Sequence, residues 1–294
     1  MRIGAFEIDE PVPDITGAHA VAVLRPWIDA GSVGTLVLSW MESHFRAEEL
    51  GRLARPGNFF DFTRYRPTMH FTKGGRREVT VPNTVVRYAG REDGNDFLFF
   101  HVLEPHMLGE TYVDSLLRLM KRFNVQRYCL IGAMYDMVPH TRPFLVTGGS
   151  VGAKAEETLR EANVRTSNYE GPTTITYLIS QRAPELGMDT MSLVVHLPHY
   201  AQFEQNYMGV VRLMEVLSPL YDLPLDQGDA EKAEDQRREL DDNLDKEPSL
   251  KSVVAQLEGY YDARTDKARE DETAKLSPEI ESFLQDISRR FTDS

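Results

Sequence analysis

The chain has 294 residues, 41% of them hydrophobic and 27% charged, with one cysteine and a formal net charge of −13. This suits a soluble globular protein that buries a sizeable core, as one large domain with an appendage or as two modest domains. The negative balance excludes a general polyanion binder and disfavours docking on nucleic acid or an anionic membrane, since both need a basic face.

The amino end, Met1-Arg-Ile-Gly-Ala-Phe-Glu-Ile-Asp-Glu10, carries acidic residues where a signal peptide needs an apolar stretch. No window approaches the roughly 18 apolar residues of a membrane span. A cytoplasmic location is expected. The first strand is predicted at His19–Leu24, followed by the turn Asp29-Ala-Gly-Ser-Val-Gly34 and a helix through about Arg46. Met69–Phe71 and Glu78–Val81, joined across Lys73-Gly-Gly75, read as a hairpin of a mixed sheet. Val85–Tyr88 and the continuous apolar run Asp96–Leu103 follow, the second fitting a buried central strand.

A helix is predicted over Gly109–Asn124, with Tyr112, Leu116, Leu119, Met120 and Phe123 at helical spacing. Further on come a buried strand at Arg127–Ala133, a short one at Phe144–Thr147 and a helix to about Ala162. A helix at Thr173–Gln181, a strand at Thr190–His196 and a helix at Gln205–Leu217 complete the series. Cys129 lies inside an apolar run and reads as a buried, inert thiol. Alternating strands and helices imply an α/β fold: a largely parallel or mixed central sheet with helices on both faces.

Composition changes after Ser218-Pro-Leu-Tyr-Asp-Leu-Pro224. Residues 226–294 hold 20 acidic against 11 basic residues, a net of −9, which leaves only −4 for residues 1–225. Asp226–Lys246 is dense in charge. Beyond Glu247-Pro-Ser249, the residues Leu250, Val253, Val254, Leu257, Tyr260 and Tyr261 form an apolar stripe. Ser277-Pro278 opens a last predicted helix, striped by Ile280, Phe283, Leu284, Ile287 and Phe291. Residues 1–225 are therefore expected to form the core and 226–294 an acidic helical extension, serving as a lid on its own core or as a clamp on a neighbouring chain.

Four polar motifs fall just after predicted strands: Asp61–Thr68, Asp136–Pro143, Tyr169–Thr174 and Leu197–Tyr200. The carboxyl ends of strands in an α/β sheet are where ligands and partners are met. Trp27, Asp29, Asp61, Arg64, Asp136, His140, Arg142, Glu170, His199 and Tyr200 are the candidate residues of that surface. Asp29 stands where a dinucleotide fingerprint needs its first glycine and would repel a pyrophosphate, so the turn there is a tight strand-to-helix connection.

Gly148-Gly-Ser-Val-Gly-Ala-Lys154 fails the Walker spacing, leaving either an anion held on amides or a plain turn. Asp136, His140 and Arg142 suit acid/base and anion-clamp work, or else Asp136 and Arg142 brace their Pro-fixed loop by hydrogen bonds and a salt bridge. Glu170 is the one carboxylate of its turn that could act chemically. His140, His196 and His199 with Asp136 match no zinc pattern, so no metal is expected, and no cofactor. Gly-x-Ser-x-Gly and His-Glu-x-x-His are absent.

Five stretches in order resemble the PAC2 family, which takes its name from a proteasome assembly chaperone, and most closely its actinobacterial-type members. They are Pro26-Trp-Ile-Asp-Ala-Gly31, Asp61–Thr68, Ile131-Gly-Ala-Met-Tyr-Asp-Met-Val-Pro-His-Thr-Arg-Pro143, Tyr169-Glu-Gly-Pro-Thr173 and Pro198-His-Tyr200. The resemblance covers roughly residues 15–220. It implies a phosphorylase/hydrolase-like α/β core, a carboxy-terminal helical extension, and homo-oligomers with a trimer favoured. It implies no established catalytic residues. Proteasome assembly factors often end in a hydrophobic residue, Tyr and any residue. The ending Arg290-Phe-Thr-Asp-Ser294 differs, which weighs against that mode of docking.

Two functions are therefore open. One is a non-enzymatic assembly or interaction protein, with proteasome-related subunits among its partners. The other is a protein that binds a nucleoside-like or anionic small molecule, or a hydrolase/phosphorylase-like enzyme, using the cleft at the sheet edge.

Overall fold

Apolar runs on both sides of the His19 strand set the centre of the fold. The computed structural model describes residues 1–273 apart from 16, 163 and 168, with backbone only at 249 and 266–273. In chain order the first half comprises β1 (Arg2–Ile3), β2 (Phe6–Ile8), β3 (His19–Arg25), α1 (Val33–His44), β4 (Glu48–Leu53), β5 (Thr68–Phe71), β6 (Arg77–Thr80), β7 (Val85–Ala89), β8 (Phe97–Leu103) and α2 (Gly109–Arg122). The second half comprises β9 (Arg127–Asp136), β10 (Val146–Gly148), β11 (Ser150–Val151), α3 (Ala153–Glu161), β12 (Arg165–Thr166), α4 (Ile175–Arg182), β13 (Asp189–Pro198), α5 (Tyr207–Tyr221), α6 (Gln227–Lys246) and α7 (Pro248–Thr273).

The main sheet runs β1-β2-β4-β7-β8-β3-β9-β13-β10-β12, with β11 paired to β13. Its centre, β8-β3-β9-β13, is parallel throughout, while β7 and the strands beyond it are antiparallel. The fold is thus the expected mixed α/β sheet with helices on both faces. Alternation along β3 decides the two cores. Val21 and Val23 face a layer containing α1, α3 and α5, which Ala233 and Leu240 of α6 join. Ala20, Ala22 and Leu24 face α2, α4 and the amino-terminal strands. Both cores are fully buried at β3, so the strand reads as a continuous apolar run.

Close approach explains two glycines. A Cβ at Gly132 of β9 would stand 2.0 Å from the Ile28 carbonyl oxygen, and one at Gly51 of β4 would stand 2.3 Å from that of Glu7. Each lets a neighbouring backbone lie flush against its strand.

Several elements differ from expectation. The hairpin forms, but β5–β6 is a two-stranded sheet of its own and not part of the main one. Strands β1, β2 and β4 were not foreseen, because Glu48-Glu-Leu-Gly-Arg-Leu53 mixes charge into a flanking strand. Helix α5 runs past Pro219 to Tyr221, and Asp222 ends it in the left-handed region. Of the stripe on α7, Val254, Leu257 and Tyr261 are buried, whereas Val253 and Tyr260 point outward. The expected helix from Ser277 lies outside the described residues.

Candidate functional site at the sheet edge

Four parallel strands end at one edge of the sheet, and the site is built on two of them, β9 and β13. Their register pairs Pro198 with Asp136, so the two chain exits leave side by side. The His199 N–H donates to the Asp136 carbonyl at 3.2 Å and fixes the start of both loops.

Asp136 is the hub. Its Oδ2 accepts from His196 Nδ1 at 2.7 Å and from Arg264 Nη1 of α7 at 3.0 Å, and its Oδ1 accepts from the Met137 N–H. The His196 hydrogen bond, followed by the Met137 and Arg264 bonds, holds the carboxyl well below the usual carboxylate range despite partial burial. On its other side, His196 Nε2 is hydrogen-bonded with the Thr147 hydroxyl at 2.8 Å. Thr147, His196, Asp136 and Arg264 thereby form one hydrogen-bonded line across β10, β13 and β9 into α7.

His140 is 1% exposed and held from three sides. Its backbone N–H donates to the Tyr200 hydroxyl oxygen at 2.8 Å, and its Nδ1 stands 2.5 Å from that same oxygen. Its Nε2 meets Asp241 Oδ1 of α6 at 3.2 Å. One proton arrangement satisfies every atom: Tyr200 O–H donates to Nδ1, and Nε2–H donates to the carboxylate. That is the neutral imidazole, in keeping with a pKa that burial lowers, against the opposing pull of Asp241. Burial pushes the Tyr200 hydroxyl up to about 12, so it stays a proton donor.

Arg142 makes a fork on α7. Nε and Nη2 donate to the two Asp262 oxygens at 3.0 Å each, and Nη1 donates to Glu258 at 3.0 Å. Glu258 also accepts the Thr141 hydroxyl, and Tyr261 O–H donates to the Pro143 carbonyl at 2.7 Å. Val138, Leu145 and Tyr261 bury a small apolar cluster beneath these bonds. From α6, Arg237 donates to the His140 carbonyl at 3.1 Å. The Asp136–Pro143 loop is thus covered by its own chain's α6 and α7.

Asp136, His140, Arg142 and Tyr200 therefore come together, with His199 joined through its backbone and its ring edge-on to Tyr135 at 6.1 Å. Asp136 and Arg142 each bond to α7 and not to each other. Trp27 is 69% exposed. Asp29 turns inward, accepting the Thr35 N–H at 3.0 Å and its hydroxyl proton at the start of α1, and burial raises its carboxyl.

Asp61 and Arg64 sit in another loop, beside the end of β8. Asp61 accepts from the Thr63 N–H and hydroxyl, Arg64 lies 3.9 Å from it, and the Asp61 N–H donates to His106. Glu170 is exposed and makes no ion pair among the described residues. Sequence reasoning missed Thr147, Asp241, Glu258, Asp262 and Arg264, and weighed His196 only as a metal ligand. The four-residue spacing of Glu258 and Asp262, which puts both on one helix face, was the available signal.

Chemically, the cluster is a set of satisfied pairs, with its acid, base and guanidinium committed to partners inside the chain. Among the described residues no group of three or more His, Cys, Asp and Glu is placed to hold a metal ion, and no helix is long and apolar enough to cross a membrane.

The family model of the PAC2 family matches residues 23–244. A PAC2 family protein from Streptomyces avermitilis is 26% identical, with a TM-score of 0.71 over 82% of this chain and 99% of that one. A Mycobacterium tuberculosis proteasome-assembly chaperone homologue is 23% identical, with a TM-score of 0.70 over 80% and 99%. An archaeal proteasome activator from Pyrococcus furiosus shares the fold at 14% identity, with a TM-score of 0.64 over 82% and 99%. No curated protein matches. With its own stretch from Pro26 to Tyr200 lying inside the matched span, the chain belongs to the PAC2 family.

Proposed function

We propose that this protein is a non-enzymatic assembly or interaction factor that works on proteasome-related subunits in the cytoplasm, as a homo-oligomer with three copies favoured. The observation that carries this reading is the occupancy of the sheet-edge motif. Asp136, His140 and Arg142 are each bonded to α6 or α7, which leaves them as braces of a surface and not as groups aimed at a reacting atom. A proteasome-assembly chaperone homologue and a proteasome activator among proteins of this fold support the partner class. Residues 1–225 serve as the body and 226–294 as the extension that braces it. The exposed members of the edge, Trp27, Arg64, Glu170 and His199, are the partner-facing residues.

The test is assembly of purified proteasome α- and β-type subunits into 20S particles, followed on native gels with and without the full-length protein. The expected result is a changed rate or yield of half-particles, reduced by Trp27→Ala with Arg64→Ala. Unchanged assembly at saturating protein overturns the reading.

A further inference from the structure

The β5–β6 hairpin has a face that the described residues leave uncovered. All eight residues of the two strands are exposed. The register pairs Met69 with Val79 and Phe71 with Arg77, so these four share one side. Met69, Phe71 and Val79 are 58%, 65% and 60% exposed, and the Arg77 guanidinium lies over the Phe71 ring at 5.7 Å. The other side carries Thr68, His70, Glu78 and Thr80. An isolated two-stranded hairpin is at best marginally stable in water, and an apolar face on it calls for a cover.

Its root, by contrast, is anchored. Phe60 is fully buried, Tyr65 meets the His106 ring at 4.8 Å, and Asp61 ties down the turn through Thr63. A firm base thus presents a basic arm, with Arg66, Lys73, Arg76 and Arg77 against the single carboxylate Glu78. That is an excess of positive charge on a chain of net −13.

The same chain carries the matching surface elsewhere. On α6, Glu231, Glu234 and Asp242 share the outer face and make no ion pair among the described residues. On the neighbouring α7, Val253 and Tyr260 stand seven residues apart on one face, 46% and 56% exposed. One surface is apolar and basic, the other joins an acidic face of α6 to exposed apolar residues of α7, and among the described residues neither is covered.

We propose that the hairpin arm of one copy docks on the outer face of α6 and α7 of a second copy, making a head-to-tail contact between protomers. Apolar side chains supply the buried centre and the opposite charges a steering rim. Because the two surfaces differ, each protomer can give and receive once, the head-to-tail geometry that makes a ring when its rotation closes and a filament when it does not. The proposal rests on the homo-oligomer part of the reading above and deepens it by naming the surfaces.

The test uses the full-length protein in sedimentation velocity and native mass spectrometry at micromolar concentration, with two variants. One is Phe71→Glu with Arg76→Glu on the arm. The other is Val253→Glu with Tyr260→Glu on α7, which leaves the two altered surfaces of like charge. All four positions are exposed, so circular dichroism should match the unmodified protein. Each variant alone is expected to raise the dissociation constant of the oligomer by roughly tenfold or more. The equimolar mixture retains one intact arm and one intact helical face between the two chains. It should form a heterodimer and nothing larger. An oligomer that survives both variants, or a mixture that stays monomeric, overturns the proposed surfaces while leaving the oligomer reading intact. A monomeric unmodified protein overturns both.

Discussion

Arg264 donates to the same carboxylate oxygen of Asp136 that accepts from His196, at 3.0 and 2.7 Å, across 128 residues of chain. That shared acceptor makes the end of β9 and the seventh helix one unit. Helix α7 is therefore fastened to the end of β9 through the very motif the family resemblance rests on.

Replacing Asp136 with Asn should put an amide where His196 and Arg264 both need an acceptor, at a cost of roughly 2 kcal/mol at neutral pH. The depressed folded-state pKa sets the sign of the pH dependence. The carboxylate's contribution is fully present above the unfolded value, about 4, and is lost as pH falls through the folded one. Denaturant midpoints measured from pH 7 down to acid should show the two proteins converging below about pH 4.

His140 is buried in its neutral form, facing Tyr200, Asp241 and, more remotely, Arg237 and Glu258. Its lowered pKa means the unfolded chain takes up a proton first, so stability falls as pH drops below the unfolded value of about 6.5. His140→Gln should flatten the stability profile between pH 7 and pH 5 relative to the unmodified protein. A parallel slope in both would assign that titration elsewhere, such as to His19, which is half-buried and lowered to about 4.

Arg142→Ala removes the fork that holds Glu258 and Asp262. The expected effect is local: faster proteolytic cleavage and hydrogen exchange between residues 247 and 265, with the sheet strands protected as before. Equal loss of protection in β9 and β13 would mean that the fork supports the whole fold.

Gly132→Ala drives a methyl into the Ile28 carbonyl, 2.0 Å away at the ideal position. Overpacking here should cost on the order of 1–3 kcal/mol or more. A thermal melt within a degree of the unmodified protein would contradict this close approach.

How far the sequence carried this depended on the kind of information each element holds. Strands β8 and β9 were legible because they are buried on both faces and read as unbroken apolar runs. Strand β4 was not, since two glutamates and an arginine sit among its six residues and break up the apolar signal of its buried Leu50 and Leu53. Helix α6 was visible as a change of composition, with only Ala233 and Leu240 buried. The loop residues Asp136, His140 and Arg142 stood out because Pro139 and Pro143 frame them. Their partners did not, because a charge pair separated by more than a hundred residues leaves no local pattern. The outward turn of Val253 and Tyr260 needed the structure as well: the stripe on α7 is wider than the core it covers.

The most direct measurement mixes the full-length protein with unassembled α-type proteasome subunits of its host and records native mass spectra. The account expects a complex of defined stoichiometry with the free subunits, reduced in abundance by Trp27→Ala. Spectra showing only the separate species, at concentrations where the subunits assemble on their own, would contradict it.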